Sequence, residues 1–441
     1  MNALKRARVD REWSQSRLIA AMDAEARRMR WPIAERTSLK TQLSRWENGH
    51  RTPDLHYQRL FERIYGMTAQ ELGFPTDDAI GLSVGATWEE CVNSTAQLWS
   101  EDMERRTFLQ SAAYAATAFT TPVLTALIAD PAEGVVRTRG DRAVTFNDVA
   151  VIRDLTGKLK QLDNKHGGGH LRRLALALLD QEVAPLLRTG SFTDQVGRDL
   201  LGATAELTQL IGWMSHDVGS HGVAQRYLIQ ALSLARSAGD SALVAELLCA
   251  MSQQSTYIGD TQAADLARAA RSVAERRGHI ALVAEYRLME AHAHARAGSS
   301  SACASALHKA EIALDKADRS DEPRWISYFD DAYVSAKFGH CLRELGDHRN
   351  AIHFAERSLQ MDGNYVRGQA FNLTLLAHAQ AGAGEFSAAC ATGHQAMDVV
   401  AGLSSARAVS YLSGFRSALQ PATSTPEVKS LEQRLNSLLA A

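Results

Sequence analysis

The chain has 441 residues, 45% hydrophobic and 22% charged, with a formal net charge of −2. It is too long for one small domain, and its composition is that of a soluble globular protein with ample material for a core, so two or three units are expected. Nine prolines stand against abundant Ala and Leu, and no alternating apolar pattern of useful length occurs, so the expected fold class is all-α.

The charge is unevenly placed. Residues 1–70 hold 14 Lys/Arg against 8 Asp/Glu, and the remainder holds 34 against 42. A basic end on an acidic body suits a small phosphate-binding footprint attached to a larger module, although a solvated basic face gives the same count.

Residues 2–12 read as a first amphipathic helix around Leu4. Ser14 is a good N-cap for a second helix whose Leu18, Ile19 and Met22 face a core. Ala24 to Trp31 can prolong that helix, with Pro32 ending it. Arg27, Arg28 and Arg30 there either add phosphate contacts or form a solvated face. Next comes SLKTQLSRWENGHRTPD, residues 38–54. Leu39, Leu43 and Trp46 recur at helical spacing, which leaves Lys40, Thr41, Ser44 and Arg45 on the opposite face. Thr37 or Ser38 can cap the first turn, Gly49 can supply a left-handed C-terminal cap, and Pro53 stops continuation. A short helix with a polar, cationic face and a free N-terminus has the properties needed in a DNA major groove. Leu55, Leu60, Phe61, Ile64 and Tyr65 supply a closing helix, and Leu72 with Phe74 ends the unit.

The run L-S-R-W-E-N-G-x-R-x-P, preceded by Ser14-Gln15-x-x-Leu18-Ile19-Ala20, resembles the XRE (Cro-type) helix-turn-helix family over residues 2–73. The resemblance implies that double-stranded DNA is the partner. It puts Lys40, Thr41 and Arg45 at base edges, with Ser44 a weaker candidate, and Gln15, Asn48 and Arg51 at phosphates. In the family the residue matching Gln15 also braces the recognition helix. Glu47 is expected to bond within the domain and Trp46 to be core. The chain departs from the family by about a dozen extra residues between the second and third helices, which bears on how the unit docks.

Residues 75–145 form a linker and connector. The stretch 75–90 is loop-like, a helical pattern runs from Trp88 to Arg106, and residues 129–144 form a second loop. Arg105-Arg106 before a mildly apolar stretch imitates a twin-arginine export signal, but its position after a folded unit makes it a connector helix. With no apolar leader, the expected location is cytoplasmic, with no membrane contact. Cys91, Cys249, Cys303, Cys341 and Cys390 are widely separated and read as reduced core thiols.

From residue 146 long helices recur. Asn164-Lys-His-Gly-Gly-Gly-His170 reads as a flexible helix–helix loop in preference to an anion or metal site. It lacks the Lys-Ser/Thr of a phosphate loop, and no cofactor or metal is expected. Small residues seven apart recur as Ala224/Ala231, Ala263/Ala270, Cys303/Ala310, Ala351/Ser358 and Ala389/Ala396, their starts separated by 39, 40, 48 and 38 residues. Gly239-Asp240, Gly259-Asp260, Gly278, Gly298, Gly346-Asp347 and Gly382 punctuate them. Breaks about every twenty residues, with small contact residues, mean stacked antiparallel helix pairs. The pattern resembles degenerate tetratricopeptide repeats over about residues 200–400, within a TPR-like α-solenoid domain expected over residues 146–441. Together with the W-x-x-D-x-x-R-R-x-F-L connector (Trp99 to Leu109), the whole resembles a group of actinomycete regulators.

A solenoid holds peptides, protein segments or small ligands on its concave face. The aromatic segment 322–331 sits where the repeat stretches to 48. Arg324, Trp325, Tyr328 and Asp331 either line an effector groove or, like Phe329, anchor a divergent repeat. Tyr365 and Arg367, with Asn364, Asn372 and one of His292 or His294, are further groove candidates. No Ser–His–Asp or Cys–His arrangement can be inferred and no HExxH occurs, so no enzyme is expected. The expectation is a sequence-specific DNA-binding transcriptional repressor, dimeric because one short helix reads few bases, with a body that senses a peptide or small molecule, holds the dimer together, or both. The alternative is a protein-interaction scaffold whose head is vestigial.

Overall fold

The computed structural model describes residues 3–29, 36–48, 53, 55–67, 71–73, 88–104, 114–128, 140–318 and 323–440. Among these residues the fold is all-α apart from one two-residue parallel pairing, Arg142-Ala143 against Gly190-Ser191, which the sequence pattern does not announce because two residues carry no alternation.

The first unit is a four-helix head: α1 (Ala3–Asp10), α2 (Gln15–Met29), α3 (Arg36–Glu47) and α4 (Leu55–Tyr65). Ser14 caps α2 as expected, its Oγ accepting from the Arg17 amide at 3.1 Å. The prolongation of α2 is present to Met29; Arg30, Trp31 and Pro32 lie outside the described residues, as do the side chains of Arg27 and Arg28. The α3 backbone is already helical at Arg36, so Thr37 and Ser38 belong to its first turn instead of preceding it. Gly49 and Phe74 are outside the described residues. Leu4, Leu18, Met22, Leu39, Leu43, Leu60 and Phe61 are each at most 1% exposed and close one small core.

The connector comprises α5 (Trp88–Glu104), a short 3-10 turn (Ala116–Phe119) and α6 (Thr120–Ile128). Arg105 to Leu109 lie outside the described residues. Sequence left open which neighbour this region rests on; it packs on the body. Val92, Trp99, Tyr114 and Phe119 enter the body core. Thr95 donates to Gln230 at 2.8 Å, and Tyr114 donates to Asp260 at 2.9 Å. Trp99 and Asp102 of the connector motif are both buried; Asp102 accepts from the Tyr227 hydroxyl at 2.7 Å and pairs with Arg172.

The body opens with α7 (Phe146–His166), α8 (Gly168–Ala177) and α9 (Ala184–Thr189), then stacks five antiparallel pairs. These are α10/α11 (Asp194–Asp217, His221–Ala238), α12/α13 (Ser241–Ile258, Ala263–Arg277), α14/α15 (Ile280–Arg296, Ser300–Lys316), α16/α17 (Asp331–Glu344, His348–Ser358) and α18/α19 (Val366–Gly382, Phe386–Val400). Two further helices, α20 (Ala406–Ala418) and α21 (Pro426–Ala440), follow. All ten small residues of the seven-apart pattern lie on the second helix of a pair and are at most 3% exposed. A larger side chain there would push the paired helices apart. First helices pack on the next first helices, whereas second helices barely meet one another, so the array bends with its first helices inside.

The Gly-Asp markers have a physical basis at Gly239-Asp240. Gly239 takes φ +74°, and the amide of Asp240 returns to the Ala235 carbonyl at 3.1 Å, closing α11. The Asp240 carboxylate then accepts from the Leu243 amide at 2.9 Å and opens α12. One marker is displaced: Gly382 ends α18 in helical conformation, and Gly384 takes the positive φ of +83°.

The glycine run is not a flexible loop. Gly167 has φ +86°, and a Cβ there would sit 2.6 Å from the Ser404 carbonyl oxygen. The Gly168 amide donates to Asp217 at 3.0 Å, the Gly169 amide to the Ser404 carbonyl at 3.2 Å, and the Ser404 amide to the His166 carbonyl at 2.9 Å. Close backbone packing, not looseness, requires these glycines. Among the described residues no helix is long and apolar enough to cross a membrane.

Candidate functional site

On α3, Leu39, Leu43 and Trp46 are 1%, 0% and 4% exposed, and Lys40 and Arg45 are exposed on the other side. Ser44 is half-buried, the side chain of Thr41 is outside the described residues, and so is Arg51. Trp46 is held by Tyr57 and Phe61, with ring centroids 4.8 and 5.8 Å away. The helix is fixed at its C-terminal end by Glu47, 2% exposed. Its carboxylate accepts from Arg8 Nη2 at 3.0 Å and from Gln15 Nε2 at 2.8 Å, and Arg8 also donates to the Trp13 carbonyl at 2.6 Å. Gln15 therefore braces α3 through Glu47. Asn48 is exposed; its amide donates to the Ser44 carbonyl at 2.8 Å, and Lys5 donates to it at 3.4 Å. The result is a helix braced by partners on α1 and α2, with an outward polar face.

In the body, the candidates separate. Phe329 is fully buried, and Trp325 packs on the core. The Arg324 side chain is outside the described residues. Asp331 stands at an open hollow of about 420 Å³ shared with Asp330, Ala332 and Gln360. Tyr365 is 37% exposed. Arg367, 8% exposed, is committed within the protein: Nη2 donates to Asp163 at 2.7 Å and to Asn164 at 3.0 Å, and Nη1 lies 3.2 Å from Asp217. That guanidinium ties α18 to α7 and α10, which takes it out of the groove set. Asn372 likewise donates to the Ser358 carbonyl at 2.8 Å. His294 lies 3.2 Å from Arg268, whereas His292 stacks on His340 with ring centroids 5.5 Å apart.

Tyr328 lies at the centre of a polar cluster that local sequence reading did not find. Its hydroxyl donates to Glu285 at 3.0 Å and lies 3.4 Å from a Glu246 carboxylate oxygen, and Tyr333 also donates to Glu285 at 3.1 Å. Lys160 of α7 sits 5.2 Å above the Tyr328 ring, and Lys337 sits 5.1 Å above that of Tyr333. Burial, reinforced by the charge of Glu285, pushes the Glu246 carboxyl up to about 8. Burial raises Glu285 as well, and raises the Cys249 thiol. Glu206, Glu246 and Glu285 fall on α10, α12 and α14 at matching positions, and Lys160 favours the ionised form of all three. Two turns further on, His292, His340 and His378 repeat with the same 48 and 38 spacings as the small residues. Burial is the first cause of the lowered pKa of each, and His378 is brought to about 4. Counting back eleven residues from Cys303, Ala351 and Ala389 would have found the histidine ladder, whereas the glutamates lie 18, 17 and 18 residues before Ala224, Ala263 and Cys303 and drift by one.

Comparison with known proteins adds no relative: no family model matches the chain, and none of the curated proteins does either.

Proposed function

We propose that the protein is a sequence-specific DNA-binding transcriptional regulator, acting as a repressor, with a helix-turn-helix head and a TPR-like body that senses an effector. One observation carries the reading: Lys40 and Arg45 stand exposed on a helix whose opposite face is buried and whose end is locked by Glu47, Arg8 and Gln15. Rigid display of a cationic, hydrogen-bonding helix face is what base-edge readout requires. In this reading Lys40, Arg45, Thr41 and Ser44 read bases, while Asn48 and Arg51 hold phosphates. A homodimer supplies the second half-site, because one short helix contacts few base pairs. The body's inner face, with its carboxylate and histidine ladders, is where a peptide or small molecule would bias the head.

The test is fluorescence anisotropy of the full chain with its own upstream DNA and with scrambled DNA, at two salt concentrations. The expected result is tighter binding to the upstream site, weakened by salt and by Lys40→Ala/Arg45→Ala. Each lost bidentate contact should cost about 1–3 kcal/mol of discrimination. Equal, salt-insensitive binding to both DNAs, unchanged by the substitutions, would remove this reading.

A further inference from the structure

We propose that Glu246, Cys249 and Glu285 form a site for one divalent cation of borderline softness, zinc-like in preference, on the inner face of the body. Glu246 and Cys249 are three residues apart on α12 and share one helix face. Glu285 reaches the same point from α14. One ligand atom from each lies within 4.8 Å of the others. A tetrahedral cation bound at about 2.0–2.3 Å to oxygen and sulfur needs separations only somewhat shorter than that.

A second observation points the same way. Glu285 is 1% exposed; its Oε1 takes both tyrosine hydroxyls, while Oε2 is buried with no hydrogen-bond partner. A buried carboxylate oxygen left without a donor costs free energy that a cation would recover. The donor set decides the class of ion. One thiolate with two carboxylates suits zinc, cobalt or ferrous iron, whereas magnesium and calcium want oxygen alone and more of it. Three protein ligands leave a fourth position for water or another ligand. With a divalent ion the three anionic ligands carry one net negative charge, and Lys160 and Lys337 stand over the neighbouring rings to offset it. The site does not depend on how the head is read.

The test uses untagged, reduced, metal-stripped full-length protein titrated with Co²⁺ and followed by absorbance. The expected result is one equivalent bound, with a thiolate-to-cobalt charge-transfer band that Zn²⁺ then removes. Cys249→Ser should abolish that band with an unchanged far-ultraviolet circular dichroism spectrum. Cys303→Ser/Cys341→Ser, which alters two other buried thiols, should keep it. Glu246→Gln and Glu285→Gln should each weaken Zn²⁺ affinity at least about tenfold against a chromophoric chelator. No charge-transfer band in the wild type, a band that survives Cys249→Ser, or affinity unchanged in both glutamine variants would overturn the site. Should Cys249→Ser fail to fold, the two glutamine variants decide alone.

Discussion

The head and the body use buried polar groups in opposite ways. Among the described head residues only Glu47 and Gln58 are buried polar side chains, and both fix backbone geometry: Glu47 ties α3 to α1 and α2, and Gln58 donates to the Pro53 carbonyl at 2.7 Å. The other described polar residues of the head are partly or fully exposed. The body instead buries carboxylates, histidines and a lysine along its inner face, as Glu285, His340 and Lys337 show. The lesson is one of economy. A small domain presents its chemistry on the surface because its core has no room for it. A curved repeat array has an inner surface on which polar side chains can converge while remaining mostly shielded from water.

Four experiments would break or sharpen this contrast. The largest effect is expected from Glu47→Ala, which strands Arg8 in a largely buried position. Breaking such a pair costs about 3–5 kcal/mol, so the head should melt early while the body's transition stays in place. Differential scanning calorimetry of the full chain would show whether the two transitions separate. Next is acidification acting through His221, which burial, with the positive charge of Arg407 adding, lowers to about 4. The unfolded imidazole titrates near 6.5, so between those values the unfolded state binds the extra proton. The stability contributed by neutral His221 is complete above 6.5 and is lost as pH falls toward 4, at a slope of at most about 1.4 kcal/mol per pH unit. His221→Gln should flatten the dependence of body melting on pH in that window. A steeper dependence in the variant would contradict the buried-neutral assignment.

Overpacking the repeat seam comes third. Ala270→Leu puts a branched side chain where a fully buried Ala sits between α13 and its neighbours, and should cost about 1–3 kcal/mol, read as a lowered melting temperature of the body alone. The smallest effect on stability is expected from Lys40→Ala/Arg45→Ala, within about 0.5 kcal/mol because both side chains are exposed. A large destabilisation would show that the α3 face is structural.

How much of this was legible in sequence follows from the range of the interactions. The buried stripe Leu39/Leu43/Trp46, the Ser14 cap and the ten small residues were readable because each depends on spacing within a single helix. Glu47 as an internal brace was readable because the resemblance marks that position. The anchoring of Asp102 on Arg172 and Tyr227 was not, since its partners lie far along the chain. Nor was the fate of Arg367: a guanidinium at a groove position reads as available until Asp163 and Asp217 are folded against it. The glycine run misled for a related reason. Glycine looks the same in sequence whether it supplies freedom or close contact, and only the approach of Ser404 distinguishes them. The cluster of Glu246, Cys249 and Glu285 is half local and half not. Its first two members share a helix turn, but Glu285 joins them only through the repeat register.

The contact between residues 166–169 and Ser404 has a consequence for the way the chain comes into being. A linear array of helix pairs ordinarily has two loose ends, can begin folding at any pair, and loses its outer pairs first. Here the far end of the array is latched by backbone hydrogen bonds to the segment that precedes it. The latch joins residues widely separated in sequence, so it carries a high loop-closure cost and belongs to the last stage of assembly. During synthesis the first pairs can stack as they emerge, but the body cannot close until the segment around Ser404 has left the ribosome. Once closed, the loop that follows the fifth pair is held by backbone bonds to the start of the body.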